Sequence, residues 1–434
     1  VVLQKPREIA VRILTRHAGS HAFIEDLVDR ELASSRLHPN DRSLVQEICY
    51  GCVRWRATID WIIDRHARER PIPPLRAVLA VGLYQIFCLD RIPDHAAVHA
   101  TVDVAREMDL GAQSGFVNAL LRNCLRDAET LRAELEQLKK SNPAVGWSHP
   151  AWLVDRWTAQ LGPEATQSLL AWNNSPAPVY ARVNTLKTDA AKLIQVWRTE
   201  GVDYDFARYD WTTDNLVFHL RRHPPFSKLK SFADGWFYIQ DPSTLMAVHL
   251  LNPQPGEEIL DFCAAPGGKA TYIAQKLDND GTFVAAEPDP KRRQRLQENC
   301  DRLAADVTVV DPSDPRTEGP IDAILLDAPC SNTGVLRRRI DARWRLTPEE
   351  LTRSTQLQLD LATQAIARLR PGGRLVYSTC SLEPEENELL VQAILAKHPG
   401  TTLEASRQLH PLRDKVDGAY AASIRTPPTH KPTR

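Results

Sequence analysis

Apolar positions in the first third of the chain recur at helical spacing. Ile9, Ile13 and Leu14 share one face, as do Leu44, Val45, Ile48 and Cys49, and then Val78, Leu79, Val81, Gly82, Leu83 and Ile86. Proline-bearing polar breaks at His38-Pro39-Asn40, Arg70-Pro71-Ile72-Pro73-Pro74 and Arg91-Ile92-Pro93-Asp94 separate these runs. Strand-like alternation is scarce there, so an all-α domain is expected, with its exit at Ser141-Asn142-Pro143 and Ser148-His149-Pro150. Strands are then expected at 179–184 and 216–220, with a helix at 189–200.

From residue 259 the pattern changes. Strand-length apolar runs end on polar residues and alternate with helical stretches. Ile259-Leu260-Asp261 leads into a turn of small residues, 263–269, and a helical segment from Ala270 to Leu277. The run 282–286 ends at Glu287, and 306–310 ends at Asp311. The run 321–326 leads into Asp327-Ala328-Pro329-Cys330, and 373–378 into Thr379-Cys380-Ser381. This is the layout of a doubly wound α/β sheet, whose ligands bind beyond the strand C-termini. At the first turn, free backbone N–H groups and the positive end of a helix dipole favour an anionic or polar ligand group. Gly267 and Gly268 are expected to supply positive φ and close backbone approach to that ligand. The Lys is not followed by Ser or Thr, so the turn is not a Walker loop, and it is not G-x-G-x-x-G. An acidic residue closing the second strand suits the two hydroxyls of a ribose.

In order, DFCAAPGGK (261–269), DAPCSNTGV (327–335) and YSTCS (377–381) resemble the RNA (cytosine-5) methyltransferases that use S-adenosylmethionine. AAPGGK also occurs in ribose 2′-O-methyltransferases and so speaks for the cofactor class; the Pro-Cys and Thr-Cys-Ser pair is more specific. The N-terminal part resembles the NusB antitermination fold at Asp60-Trp61-Ile62-Ile63, Arg91-Ile92-Pro93 and 116–122 (FVNALLR). The resemblance implies a multidomain chain: a NusB-like helical RNA-binding domain at 1–142, a linking α/β subdomain at 143–240, and a Rossmann-like, doubly wound α/β methyltransferase domain at 241–425. A loose tail is expected at 426–434. It further implies S-adenosylmethionine as cofactor, held by Cys263, Ala264, Ala265, Pro266, Gly267, Gly268 and Lys269, by Glu287 at the ribose, Asp311 at the adenine, and Asp327. The implied partner is 16S ribosomal RNA.

The implied reaction explains the residue types. Carbon 5 of cytosine is a poor nucleophile, and a thiolate adding to carbon 6 makes it enamine-like, able to attack a sulfonium methyl. Two cysteines at neighbouring strand ends divide the work: Cys380 attacks, and Cys330 helps release the product. That assignment comes from the resemblance; the residues alone do not choose between the two thiols. Three positions depart from the family pattern. Glu287 stands where Asp is usual, Val310-Asp311 replaces Gly-Asp with Asp314 as a rival, and Arg339-Ile340-Asp341 replaces His-Pro-Asp.

Composition changes this picture at few points. The 434 residues are too many for one core, and 43% hydrophobic with 25% charged residues is ordinary for a globular protein. A net charge of −1 gives no global nucleic-acid signal, so RNA binding must rest on local patches. Arg337, Arg338, Arg339, Arg343 and Arg345 follow directly on the Cys330 loop and are the expected phosphate contacts, with Trp344 stacking on a base or anchoring the loop. Cys49-Tyr50-Gly51-Cys52 sits on an apolar helix without a second Cys/His pair, so buried thiols, not a metal, are expected. Eight scattered cysteines, no membrane-length apolar run and no signal pattern lead to the expectation of a cytoplasmic monomer with no membrane or metal partner. Two rivals remain: a ribose 2′-O-methyltransferase, which needs a Lys-Asp-Lys-Glu set instead of a thiol, and a non-catalytic antitermination-like RNA-binding protein.

Overall fold

The computed structural model describes residues 5–428. Its chain packs into two units. One comprises the described residues up to Ser175 together with Leu336–Arg345; the other comprises Pro176–Val335 and the described residues from Leu346.

The first unit is helical. Prolines open the helices Pro39–Arg54 and Pro73–Cys88, where the missing N–H costs nothing. The periodic residues Ile9, Ile13, Val45, Ile48, Cys49, Val78, Leu79, Val81, Leu83 and Ile86 are all buried in one cluster. Cys49 and Cys52 lie inside it, and burial pushes both thiols up. One member comes from far along the chain: Ile340, 2% exposed. The helices Ala151–Leu161 and Pro163–Asn174 also belong here, so this unit extends past the expected boundary at residue 142 to Ser175. Ser148 ties them in, its hydroxyl accepting from the Ala57 N–H at 3.0 Å.

The second unit holds two sheets. Strands β1 (Val179–Val183), β2 (Asp203–Ala207), β3 (Val217–Arg222) and β4 (Phe237–Ile239) form an antiparallel sheet in the order β2-β3-β1-β4. Trp197, from the helix Ala190–Glu200, packs on it with Phe218 and Phe237. Asp189 caps that helix, accepting from the Lys192 N–H at 2.8 Å. The second sheet has seven strands in the order β10-β11-β9-β8-β5-β6-β7. Here β5 is Glu258–Asp261, β6 Thr282–Ala286, β7 Thr308–Val310, β8 Ile321–Asp327, β9 Leu369–Thr379, β10 Thr402–Leu409 and β11 Ala419–Arg425. β5 to β9 are parallel, with β8 buried along almost its whole length, and β10 and β11 complete the sheet antiparallel. The order reverses at β5, with β6 on one side and β8 on the other, which opens a crevice beyond the strand ends.

Two expectations change at the C-terminus. β10 and β11 are not evident in the sequence pattern, because Ala419–Arg425 is small-residue rich and buried on both faces. Nor is the start of the expected tail loose: the Thr426 N–H bonds to the Gly373 carbonyl at 2.9 Å, and the Gly372 N–H to the Pro427 carbonyl at 2.9 Å. Residues 429–434 of that tail lie outside the described residues.

Candidate active site at the strand ends

β5 ends at Asp261, and the turn to the helix Gly268–Leu277 fastens to both neighbouring strands. The Phe262 N–H bonds to the Leu325 carbonyl at 2.8 Å and the Ala264 N–H to the Ala286 carbonyl at 3.1 Å. Gly267 has φ +105°, which an L side chain rarely adopts. Gly268 does not share that conformation, contrary to expectation; a Cβ there would meet Gln240 Nε2 at 3.1 Å and Tyr238 Cε1 at 3.2 Å. Its close neighbour is the protein itself. Arg182 of β1, 1% exposed, explains why: it donates to the Gly268 carbonyl at 2.8 Å, Gln240 Oε1 at 2.8 Å and Thr271 Oγ1 at 3.0 Å. Its guanidinium lies between the rings of Tyr238 and Tyr272, with centroids 5.6 and 5.0 Å away, and burial brings its pKa down to about 10. Asn184 fixes the next strand end, donating to the carbonyls of Gly235 and Leu303.

Carboxylates surround the turn. Asp261 is 1% exposed and neither oxygen meets a donor at hydrogen-bond geometry. Burial, and then the charge of Asp327, push its pKa up to about 7, while the Lys269 ammonium and Cys263 N–H pull the other way. Glu287, buried past β6, accepts from the Asp289 N–H at 3.1 Å and lies 3.5 Å from Arg292. Asp311 is held below the usual range by Ser313 and then by Arg293, 3.0 Å away. Its rival Asp314 is engaged by Arg316 through two bonds of 2.8 Å and lies lower, at about 2. Arg292 in turn donates to the Ala265 carbonyl at 3.0 Å, so these basic residues brace the turn.

Asp327 ends β8 beside Ser378 of β9. Its oxygens accept from Lys269 Nζ at 2.7 Å and Ser378 Oγ at 2.9 Å. Just beyond, Cys330 Sγ and Cys380 Sγ are 3.3 Å apart, and the Cys380 thiol donates to Asn332 Oδ1 at 3.1 Å. The Cys330 thiol is pushed well up, first by its hydrogen bond with Cys380 and then by burial. The loops carrying the cysteines are stitched together: the Gly334 N–H bonds to the Cys380 carbonyl at 2.9 Å. Thus the structure brings Lys269, Asp327, Cys330 and Cys380 together, with Asp261 behind them. The sequence offers Arg182, with Asn184, as a contact to RNA or cofactor or as strand surface, and the structure instead buries it against the turn. Asp261 is missed because an acid closing a strand gives no local cue to its burial.

The expected phosphate contacts are corrected at Arg337 and Arg343. Arg337 and Arg343 are 2% and 0% exposed, too buried to meet a phosphate. Arg343 donates to the carbonyls of Ser148, Asn173 and Leu336 and to Asn174 Oδ1, and Arg337 lies over Trp172 at 4.0 Å. Arg345 donates to the carbonyls of His21 and Ala22. Of the five, only Arg339 is exposed, and it pairs with Glu25 at 2.6 Å. Trp344 anchors, donating from Nε1 to the Val53 carbonyl at 2.8 Å, and Asp341 accepts from the Ile24 N–H at 2.8 Å. The segment Leu336–Arg345 is a structural part of the helical unit. A signal existed: Leu336, Ile340 and Trp344 put an apolar residue at every fourth place of the basic run.

The chain matches a family model described as 16S rRNA methyltransferase RsmB/F over residues 248–431, the NusB family over 4–126, and the ferredoxin-like domain of the RsmF/B-like methyltransferases over 149–214. It is 35% identical over 407 residues to ribosomal RNA small subunit methyltransferase B of Vibrio vulnificus, covering 90% of this chain and 93% of that one. It is 34% identical to a probable ribosomal RNA small subunit methyltransferase B of Synechocystis, with 90% and 89% covered. Among solved structures it resembles a methyltransferase homolog protein from Pyrococcus horikoshii, at 30% identity and TM-score 0.57, over 65% of this chain and 97% of that one.

Proposed function

The chain belongs to the family of the 16S rRNA methyltransferase RsmB/F and depends on S-adenosylmethionine, and we propose that it methylates carbon 5 of a cytosine in 16S ribosomal RNA through a covalent cysteine adduct. When bound, S-adenosylmethionine supplies an electrophilic methyl group on a sulfonium. The residues present fit such a ligand: Asp261 offers to a cationic group a buried carboxylate without a lysine or arginine in contact, and the Gly267 turn ends in a helix N-terminus. Cys263 to Lys269, Glu287, Asp311 and Asp327 are the residues that would hold it.

The observation that carries the reading is the thiol pair, 3.3 Å apart at the ends of β8 and β9 and next to Asp327. The Cys380 thiolate adds to carbon 6 of the base, and the electron pair displaced toward carbon 5 makes that atom nucleophilic. After carbon 5 is methylated, its proton must leave before the bond from Cys380 to carbon 6 can break. Cys330, in contact with the leaving sulfur, is placed to take that proton as a thiolate; the carbon–hydrogen pair then restores the C5–C6 double bond and the carbon–sulfur pair leaves with Cys380 as its thiolate. Asp327 is oriented by Lys269 and Ser378, and so can accept from the exocyclic amine or cofactor without moving. A ribose 2′-O-methyltransferase would have no use for two thiols in contact.

The test separates the two cysteines. Cys380→Ala should abolish both methylation and any protein–RNA adduct. Cys330→Ala should accumulate an adduct that migrates as one species on a denaturing gel, and the double variant should lose it again. The reverse pattern would exchange the roles, and full activity in either single variant would reject the mechanism.

A further inference from the structure

Behind the thiol pair lies a buried polar cluster that the mechanism does not use. Glu386, 0% exposed, accepts from the Ser331 N–H at 2.9 Å and from the Ser331 hydroxyl at 2.5 Å. Ser331 is the residue after Cys330. Its hydroxyl also lies 3.1 Å from that of Ser381, the residue after Cys380, and the Ser381 hydroxyl acts on the same carboxyl. Gln358, from the helix Pro348–Arg368, donates to Glu386 Oε1 at 3.0 Å and to the Pro329 carbonyl, on the other side of Cys330, at 2.8 Å. The Tyr377 hydroxyl holds the Glu386 backbone carbonyl at 2.7 Å. Around Cys380, Thr333 Oγ1 accepts from the Leu382 N–H at 2.9 Å, and Asn387 Nδ2 donates to the Ser381 carbonyl at 3.0 Å.

A carboxyl without an arginine or lysine partner is costly to bury, and burial pushes this one up. Such a group persists where its bonds fix a geometry that an apolar residue could not fix. Its acceptors are shared between the two loops that carry the thiols.

We propose that Glu386, backed by Gln358, is a positioning residue that clamps the residues following both cysteines, through the Ser331 N–H and the Ser331 and Ser381 hydroxyls, and thereby sets the contact between Cys330 Sγ and Cys380 Sγ. Resting on the two-thiol reading, this assigns the register of the pair to one buried carboxyl rather than to the strand ends alone. Glutamine at this position can accept only one of the two Ser331 bonds, because its amide nitrogen is a donor. Alanine accepts neither.

The full-length chain with Glu386→Ala and with Glu386→Gln decides this by a chemical reading of the pair that needs no methyl transfer. Diamide takes two electrons and two protons from adjacent thiols, forming the S–S bond and the corresponding hydrazine. The rate of the Cys330–Cys380 bridge is followed by peptide mass spectrometry. Glu386→Ala should bridge at least tenfold more slowly and lose at least 100-fold in kcat, with KM for RNA and cofactor affinity within threefold of wild type. Glu386→Gln should lie between. Wild-type bridging in Glu386→Ala overturns the proposal, whether or not kcat falls. If Glu386→Ala does not fold, Glu386→Gln decides alone: slowing of threefold or more supports the clamp, and a wild-type rate overturns it. Slow bridging in a family of variants where Cys380→Ala remains active would keep the clamp and reject the two-thiol reaction.

Discussion

Arg182 is a buried cation without a carboxylate partner, and replacing it by Met tests what it is for. Methionine fills much of the stem's volume but removes the fork. Three acceptors then lose their donor: the Gly268 carbonyl, Gln240 Oε1 and Thr271 Oγ1. A hydrogen bond from a charged group contributes about 1.5–3 kcal/mol. Opposing this is desolvation, seen in the fall of the guanidinium to about 10, which corresponds to about 3 kcal/mol. The balance predicts that Arg182→Met destabilises the second unit by about 2–5 kcal/mol. Arg182 grips the first turn of the helix after the Gly267 loop, so cofactor affinity should also fall, by about tenfold for each 1.4 kcal/mol of lost alignment. Arg182→Lys should recover little, since one ammonium cannot span the three acceptors as a planar fork does. Urea unfolding and calorimetric titration with S-adenosylmethionine measure the two effects. A loss below about 1 kcal/mol with unchanged affinity would show that the aromatic sandwich, not the hydrogen bonds, holds the loop.

Three further outcomes are expected. With Asp261 at about 7, its charged fraction, and hence affinity for a cationic ligand, should rise roughly tenfold between pH 6 and 8, and Asp261→Asn should flatten that rise in titrations at the two pH values. In the ligand-free chain the same raised value means that the folded state keeps the proton longer than the unfolded state, so this group's stability contribution falls as pH rises from 3.8 to about 7. Gly267→Ala, forced to φ +105° with its Cβ 2.8 Å from Leu296 Cδ1, should cost about 1–3 kcal/mol of stability and weaken cofactor binding, whereas Gly268→Ala should do less to both. Ile340→Ala should destabilise the helical unit by about 2–5 kcal/mol in urea unfolding, although residue 340 lies in sequence among the methyltransferase strands.

The placement of the thiol pair was legible where the candidate site depends on a strand end. An apolar run ending in Asp327 or Thr379 declares its own exit, and the residues just past it, Cys330 and Cys380, are placed by the same topology. The supports were not legible, because their meaning lies in partners far away. Arg182 meets Gly268 and Thr271 across 86 and 89 residues, and Glu386 meets Ser331 across 55. The arginine run misled for a physical reason. Charge on a sequence suggests solvent, yet a guanidinium can be buried when enough carbonyls face it, as four acceptors face Arg343.

The Leu336–Arg345 segment has a consequence for how the protein is made. A ribosome delivers residues 5–175 long before it reaches residue 345, so for roughly two-fifths of synthesis the helical unit has an empty seat where Ile340, Trp344 and Arg343 belong. The first N–H of the helix Ile24–Ala33 lacks the Asp341 acceptor in that interval, and the carbonyls of Ser148 and Asn173 lack Arg343. The nascent N-terminal part is therefore incomplete until late in elongation, and a fragment cut at residue 142 or 147 would separate the seat from its occupant permanently. A transplant of the helical part onto another protein would need this decapeptide supplied as well.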